Sequence, residues 1–224
     1  ASGDLLVLAA SATGAAMLDF TRATVVAPAS LSRVEQQAAT MLIEEVEKRT
    51  GIRWERVQAW PTAPATVIAL GPLSALESVA GRFAGELQPN PTAATAEGFR
   101  LLVKPQPGAP AALVLGNDSR GVMFGVGRLL RELHLNQGRA ELAADLDLST
   151  APKYPLRGHQ LGYRPKTHSY DAWDLPVWEQ YYRDLIVFGC NAVELLPPRT
   201  DDDADSPHFP RPPTELMVGM SRLA

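Results

Sequence analysis

The stretch from Asp174 to Pro198 constrains the fold more than any other. Asp174 is a good helix N-cap residue, and Pro176 falls at the second helical position, where proline is tolerated. Trp178, Tyr181, Tyr182, Leu185, Ile186 and Phe188 then recur with a helical period, and Gly189 ends the run. Asn191–Leu196 reads as a strand stopped by Pro197 and Pro198, and Tyr154–Tyr163 reads as the strand before the helix. A strand–helix–strand of this length predicts a parallel βαβ unit, because parallel neighbours need a long crossover.

Upstream, residues 1–22 are rich in Ala, Ser and Gly and read as a leader with an edge strand or short helix. Residues 23–150 have the pattern of a small α/β domain. Ala23–Ala27 is a β-branched strand ended by Pro28. Ser30 or Ser32 caps a helix, and Glu35 lies three residues after Ser32, the capping-box spacing. That helix should bury Val34, Ala38, Met41, Leu42, Glu45 and Val46, expose Glu44, Glu47, Lys48 and Arg49, and end at Gly51. Trp54–Ala59 and Thr66–Leu70 are further strands, and Leu73–Phe83 is a short helix. Glu97–Val103 and Ala112–Gly116 predict an antiparallel hairpin. A helix follows from about Arg120 to His134, with Gly121, Gly125 and Gly127 permitting close packing on a sheet. Gly138–Thr150 is a connection of weak strand character, and Thr214–Ala224 starts another helix.

Composition removes several classes of function. Hydrophobic residues make up 46% of the 224, enough for a real core, and the net charge is −4 with no Lys/Arg-rich block, which argues against a nucleic-acid partner. No run approaches the ~18 apolar residues of a membrane span. The glycines at 121, 125 and 127 are in the wrong order for a dinucleotide fingerprint, and no phosphate-loop pattern occurs. The single Cys190 excludes an intrachain disulfide and sits in an apolar context that predicts a buried structural thiol. No cofactor and no metal site is expected. Few cysteines suit either cytoplasm or periplasm; a periplasmic or secreted location is the expectation.

Two stretches carry a resemblance. Glu97–Val103 followed by Val114–Leu130, with its Asn-Asp-Ser-Arg-Gly turn and Leu-rich helix, looks like the second hairpin and last helix of an accessory domain. Leu156-Arg157-Gly158, with the Tyr181–Leu196 helix and strand, looks like barrel strand 1, helix 1 and strand 2. In this order they resemble the N-terminal part of glycoside hydrolases of the β-N-acetylhexosaminidase and α-glucuronidase type. The resemblance implies an α/β protein: an accessory α+β domain at 23–150, with a mixed sheet and two main helices, then the first βαβ portion of a TIM barrel at 151–224. It implies action on glycosidic bonds, a carbohydrate substrate, and the remainder of the catalytic barrel as partner. The hexosaminidase stretch of His-x-x-Asp-Asp-x-Gly-Trp type is absent after the second strand, where Glu194–Asp203 stands instead.

The resemblance makes Arg157 a candidate for binding sugar hydroxyls, which its fixed donors suit; the other reading is an anchor at the domain interface. His159, Leu161 and Tyr163 share strand parity with Arg157, so His159 and Tyr163 are candidate sugar contacts in a barrel interior. Tyr163, Tyr170 and Trp173 offer rings that stack on sugars or cover the first loop. Glu194 and Asp201, with Asp202, Asp203 and Asp205, are the carboxylates at the barrel mouth, as substrate contacts, a solvated loop or a calcium site. Glycosidic hydrolysis needs two carboxyl groups roughly 5–9.5 Å apart, and that pair is expected on later strands. A barrel needs about 200 residues or more, so this chain is not expected to be a competent glycosidase. The alternative is a non-catalytic carbohydrate-binding or protein-interaction module.

Overall fold

A computed structural model describes residues 16–88, 90–161, 173–194 and 213–224. Its centre is a six-stranded mixed sheet of order β3-β2-β4-β6-β5-β9. The strands are β2 (Thr24–Val26), β3 (Glu55–Val57), β4 (Val67–Pro72), β5 (Phe99–Lys104), β6 (Ala111–Gly116) and β9 (Asp147–Thr150). β3, β2, β4 and β6 are parallel, and β5 joins antiparallel to both β6 and β9.

Alternation of side chains explains the two covers of this sheet. Val25, Ile68, Leu70, Leu101, Ala112 and Val114 face α1 (Arg33–Thr50) and α3 (Ser119–Glu132). Val26, Val67, Ala69, Leu102, Leu113 and Leu115 face α2 (Leu76–Ala80) and the turns around it. β4 and β6 are therefore continuous apolar runs, as strands buried on both faces must be. α3 lies hard against β6. A Cβ on Gly116 would stand 2.2 Å from the Val122 nitrogen, and one on Gly125 would stand 2.6 Å from Val114.

The capping box of α1 forms: Ser32 Oγ accepts from the Glu35 N–H, and Glu35 Oε2 accepts from the Ser32 N–H at 2.7 Å. Glu35 also accepts from Ser119 Oγ at 2.8 Å, which ties the starts of α1 and α3 together. Several expectations are corrected. Val34 is 42% exposed rather than buried, because it lies in the first turn of α1, ahead of the residues that meet the sheet. The Leu73–Phe83 helix is interrupted, since Gly81 turns beneath the Trp60 ring at φ +51°. The 138–150 segment contributes strands: β8 (Arg139–Ala143) pairs with β1 (Met17–Asp19) and β7 (His134–Asn136) in a second sheet, and β9 completes the first.

The C-terminal part is β10 (Gly158–Gln160), α4 (Leu175–Val187), β11 (Ala192–Glu194) and α5 (Pro213–Leu223). β10 and β11 pair in parallel, as the strand–helix–strand pattern predicts. Asp174 caps α4, accepting from the Val177 N–H at 3.2 Å. β10 is shorter than the expected 154–163 strand. Tyr154 and Pro155 form a bend instead, and their carbonyls serve as acceptors for the Arg157 and Asn191 side chains. Cys190 is partly exposed rather than buried, because it follows the Gly189 turn at the edge of the unit. The fold is mixed α/β.

Candidate functional site

The C-terminal unit is fixed to the large sheet by a polar seam centred on Glu97. This residue immediately precedes the Gly98–β5 entry and has φ +58°, a left-handed conformation rare outside glycine. Its N–H donates to Asp118 Oδ2 at 2.8 Å, and Asp118 Oδ1 caps α3 by accepting from the Gly121 N–H at 2.7 Å. That geometry aims the Glu97 carboxylate outward at the join. Arg157 Nη2 donates to it at 2.7 Å, Arg120 Nη1 at 3.2 Å and Asn191 Nδ2 at 3.3 Å.

Arg157 has further acceptors. Its Nε donates to the Gly189 carbonyl at 2.7 Å and its Nη1 to the Tyr154 carbonyl at 2.9 Å. Its guanidinium lies 5.0 Å from the Phe124 ring centre. Asn191 completes the frame, with Oδ1 accepting from the Arg157 N–H and Nδ2 donating to the Pro155 carbonyl. Burial pushes the Glu97 carboxyl up, but the bonds from Arg157, Asn191 and Arg120 outweigh it and hold it below the usual carboxylate range.

A second contact joins α4 to α1. Arg183 pairs with Glu44 at 2.6 Å and with Glu45 at 3.5 Å, and Gln180 lies between Lys48 and Glu45. Glu44 is thus part of an interface rather than a free wet face. Glu45 is almost wholly buried; burial pushes its carboxyl up, and the bonds from Arg49 and Gln180 with the charge of Arg183 bring it down again. α3 and α4 touch where a Cβ on Gly127 would stand 2.9 Å from Val187 Cα.

Within the unit, α4 covers one face of β10–β11. Trp178 and Tyr182 are buried with Leu216 and Met220 of α5, and Leu161 and Val193 pack against them. His159 is on this same side, because its Nδ1 meets the Tyr181 hydroxyl. Trp173 joins the cluster, 5.0 Å from the Trp178 ring and 5.6 Å from Tyr181. Burial raises the Tyr181 hydroxyl, and burial pushes Tyr182 up to about 12. Among the described residues, Trp178 Nε1 and Tyr182 Oη are buried without a hydrogen-bond partner.

The residues singled out in the sequence therefore do not meet at one point. Arg157 lies in the seam. Trp173 belongs to the aromatic cluster at α4, and His159, itself exposed, meets the rim of that cluster through Tyr181. The shared parity of Arg157 and His159 fails, because Arg157 precedes β10 and its side chain turns back into the seam. His159 and Leu161 do share a side, but it is the side that α4 covers. Glu194 ends β11 on the opposite, exposed face. Tyr163, Tyr170 and Asp201 lie outside the described residues. Sequence reasoning passed over Glu97, Asn191 and Arg183; a polar Asn directly after the Gly189-Cys190 turn was the available signal for one of them. Among the described residues no group of His, Cys, Asp or Glu could hold a metal ion, and no helix is long and apolar enough to cross a membrane. A hollow of about 430 Å³ lies at the β3 edge between Thr40, Glu44 and Arg56, on different elements from β10 and β11.

No protein-family model matches the chain, and no curated protein matches it. Solved structures do. CpGH84B matches with a TM-score of 0.58 at 13% identity, over 94% of this chain and 33% of that one. A GH115 4-O-methyl-α-glucuronidase with specificity for decorated arabinogalactans matches with a TM-score of 0.55 at 13% identity, over 79% of this chain and 26% of that one. The GH20 exo-β-N-acetylglucosaminidase of Vibrio harveyi, solved with N-acetylglucosamine, matches with a TM-score of 0.51 at 13% identity, over 79% of this chain and 22% of that one. The chain thus spans between 22% and 33% of the length of these structures. The likeness is one of architecture, and it shows that the chain has a glycoside-hydrolase-like fold.

Proposed function

We propose that the chain is the N-terminal part of a glycoside hydrolase that acts on glycosidic bonds of oligo- or polysaccharides. Residues 23–150 are the accessory α/β domain, and residues 151–224 are the first β/α units of a (β/α)8 barrel whose remainder is the natural partner. The observation that carries this reading is the parallel β10–α4–β11 unit seated on the α/β sheet through Glu97, Arg157 and Asn191. The architecture shared with glycoside hydrolases supports it. In this reading Arg157 is the anchor that sets the barrel on its accessory domain, since its donors are engaged by Glu97, Gly189 and Tyr154. Trp173 packs on Trp178 and Tyr181 of α4, and the catalytic acid pair belongs to later strands.

The alternative, a self-contained carbohydrate-binding or interaction module, is favoured by one observation. The Trp178 and Ile186 face of α4 is packed, and α4 is ion-paired to α1. An assay on aryl glycosides separates the two. The 224-residue chain should show no turnover, and a polypeptide extended through further β/α repeats should show it. Robust turnover by the 224 residues, or none by the extended protein, contradicts the hydrolase reading as stated.

A further inference from the structure

The face of β10–β11 turned away from α4 carries Gly158, Gln160, Ala192 and Glu194. This follows from strand alternation, because His159, Leu161 and Val193 all pack toward α4. The register sets Gln160 directly beside Glu194, each the last residue of its strand. Neighbouring strands stand about 4.8 Å apart, so an amide and a carboxylate project side by side. Both residues are exposed, and neither has a hydrogen-bond or ion-pair partner among the described residues. The residues before them are small: a Cβ on Gly158 would be 3.8 Å from that of Ala192. The floor is therefore shallow, and neither of those small residues can cover the pair. In parallel β/α structures the C-terminal ends of the strands are where ligands bind.

We propose that Gln160 and Glu194 form a hydroxyl-binding pair that takes neighbouring hydroxyls of an uncharged sugar and disfavours the carboxylate of a uronic acid. The proposal rests on the glycoside hydrolase reading. A carboxylate accepts hydrogen bonds and cannot donate them; an amide donates from Nε2 and accepts at Oε1. A sugar hydroxyl does both, so one hydroxyl donates to Glu194 while its neighbour accepts from Gln160. A carboxylate on the sugar would stand beside a like charge and be repelled. Once further strands enclose this face, a carboxylate without donors there is unfavourable, and sugar hydroxyls supply them.

The test compares the barrel-complete protein with its Gln160→Ala and Glu194→Gln variants. Substrates are aryl glycosides of neutral hexoses and N-acetylhexosamines, and aryl hexuronides. The parent should turn over a neutral glycoside in preference to the hexuronide. Each substitution should lower kcat/KM on that glycoside at least tenfold, mainly through KM, with the melting temperature unchanged because neither side chain has a partner among the described residues. Glu194→Gln should also narrow the gap to the hexuronide. Neutral-sugar activity unchanged in both variants overturns the pair and leaves the hydrolase reading standing. A parent that prefers hexuronides overturns the charge discrimination. No turnover of any glycoside overturns the hydrolase reading and this inference with it.

Discussion

The two halves of this molecule bury their strands to opposite extents. β4 and β6 are covered on both faces, and Ile68, Leu70 and Leu113 are wholly inaccessible. β10 is exposed along its length, and β11 is half-buried at best. The large sheet supplies its own two covers, from α1 and α3 on one side and α2 on the other. Among the described residues the smaller unit's strands have one cover, α4, and the unit takes support from outside itself, through Glu97 and through Glu44 and Glu45. Around the same join Tyr154, Leu156 and Phe188 are each 72% exposed. Among the described residues, the strand pair is thus covered by α4 on one face and has exposed apolar side chains at its base.

If that contrast is right, substitutions in the two halves should have different reach. The largest effect is expected from Leu70→Ala, which leaves a cavity in a core closed on both sides. It should destabilise the whole chain by about 2–5 kcal/mol in denaturant unfolding. Glu97→Gln should remove the charge that pairs with Arg157. The loss should be about 2–3 kcal/mol, below that of a fully buried pair because the site keeps some exposure. It should read out as release of the C-terminal unit: limited proteolysis should cut faster near residues 150–156 while the 23–150 core stays resistant. Equal protease resistance in parent and variant would break the account of the seam.

The pH dependence sharpens the same contrast. Glu97 and Glu45 both have carboxyls held below their ordinary value of 4.5. Their contribution is present above that value and is lost as pH falls through the lower, folded-state value. Acid should therefore loosen the docking of α4 below about pH 4.5, before the apolar core gives way. Tyr182 works in the other direction, since its hydroxyl is pushed up from 10.0 to about 12 by burial. The stability it supports is complete below 10.0 and is lost as pH rises toward 12. The smallest effect is expected from Tyr182→Phe, which removes a buried hydroxyl without a partner. It should raise stability by up to about 1 kcal/mol and abolish that alkaline step in a pH-resolved melting series.

Much of the architecture was legible because its signals are local. Ser32 and Glu35 announced α1, Asp174 and Pro176 announced α4, and the 97–116 hairpin and the parallel pairing of β10 with β11 followed from pattern and length. β8 and β9 were not legible, because they alternate weakly and gain partners from β1 and β5, more than 40 residues away. The candidate site was less legible still. Strand parity put His159 and Leu161 on one side, but parity cannot say which side a helix will cover, and α4 covers theirs. Glu97 read as the start of a strand. Its left-handed backbone, and with it the direction of its carboxylate, depends on Asp118 across the sheet.

Backbone hydrogen exchange on the chain and its Glu97→Gln variant tests the central claim most directly. The account predicts that exchange in β10, α4 and β11 accelerates at least tenfold in the variant while β4 and β6 keep their protection. Equal acceleration in both regions, or none in either, would contradict a C-terminal unit held to the large sheet through Glu97.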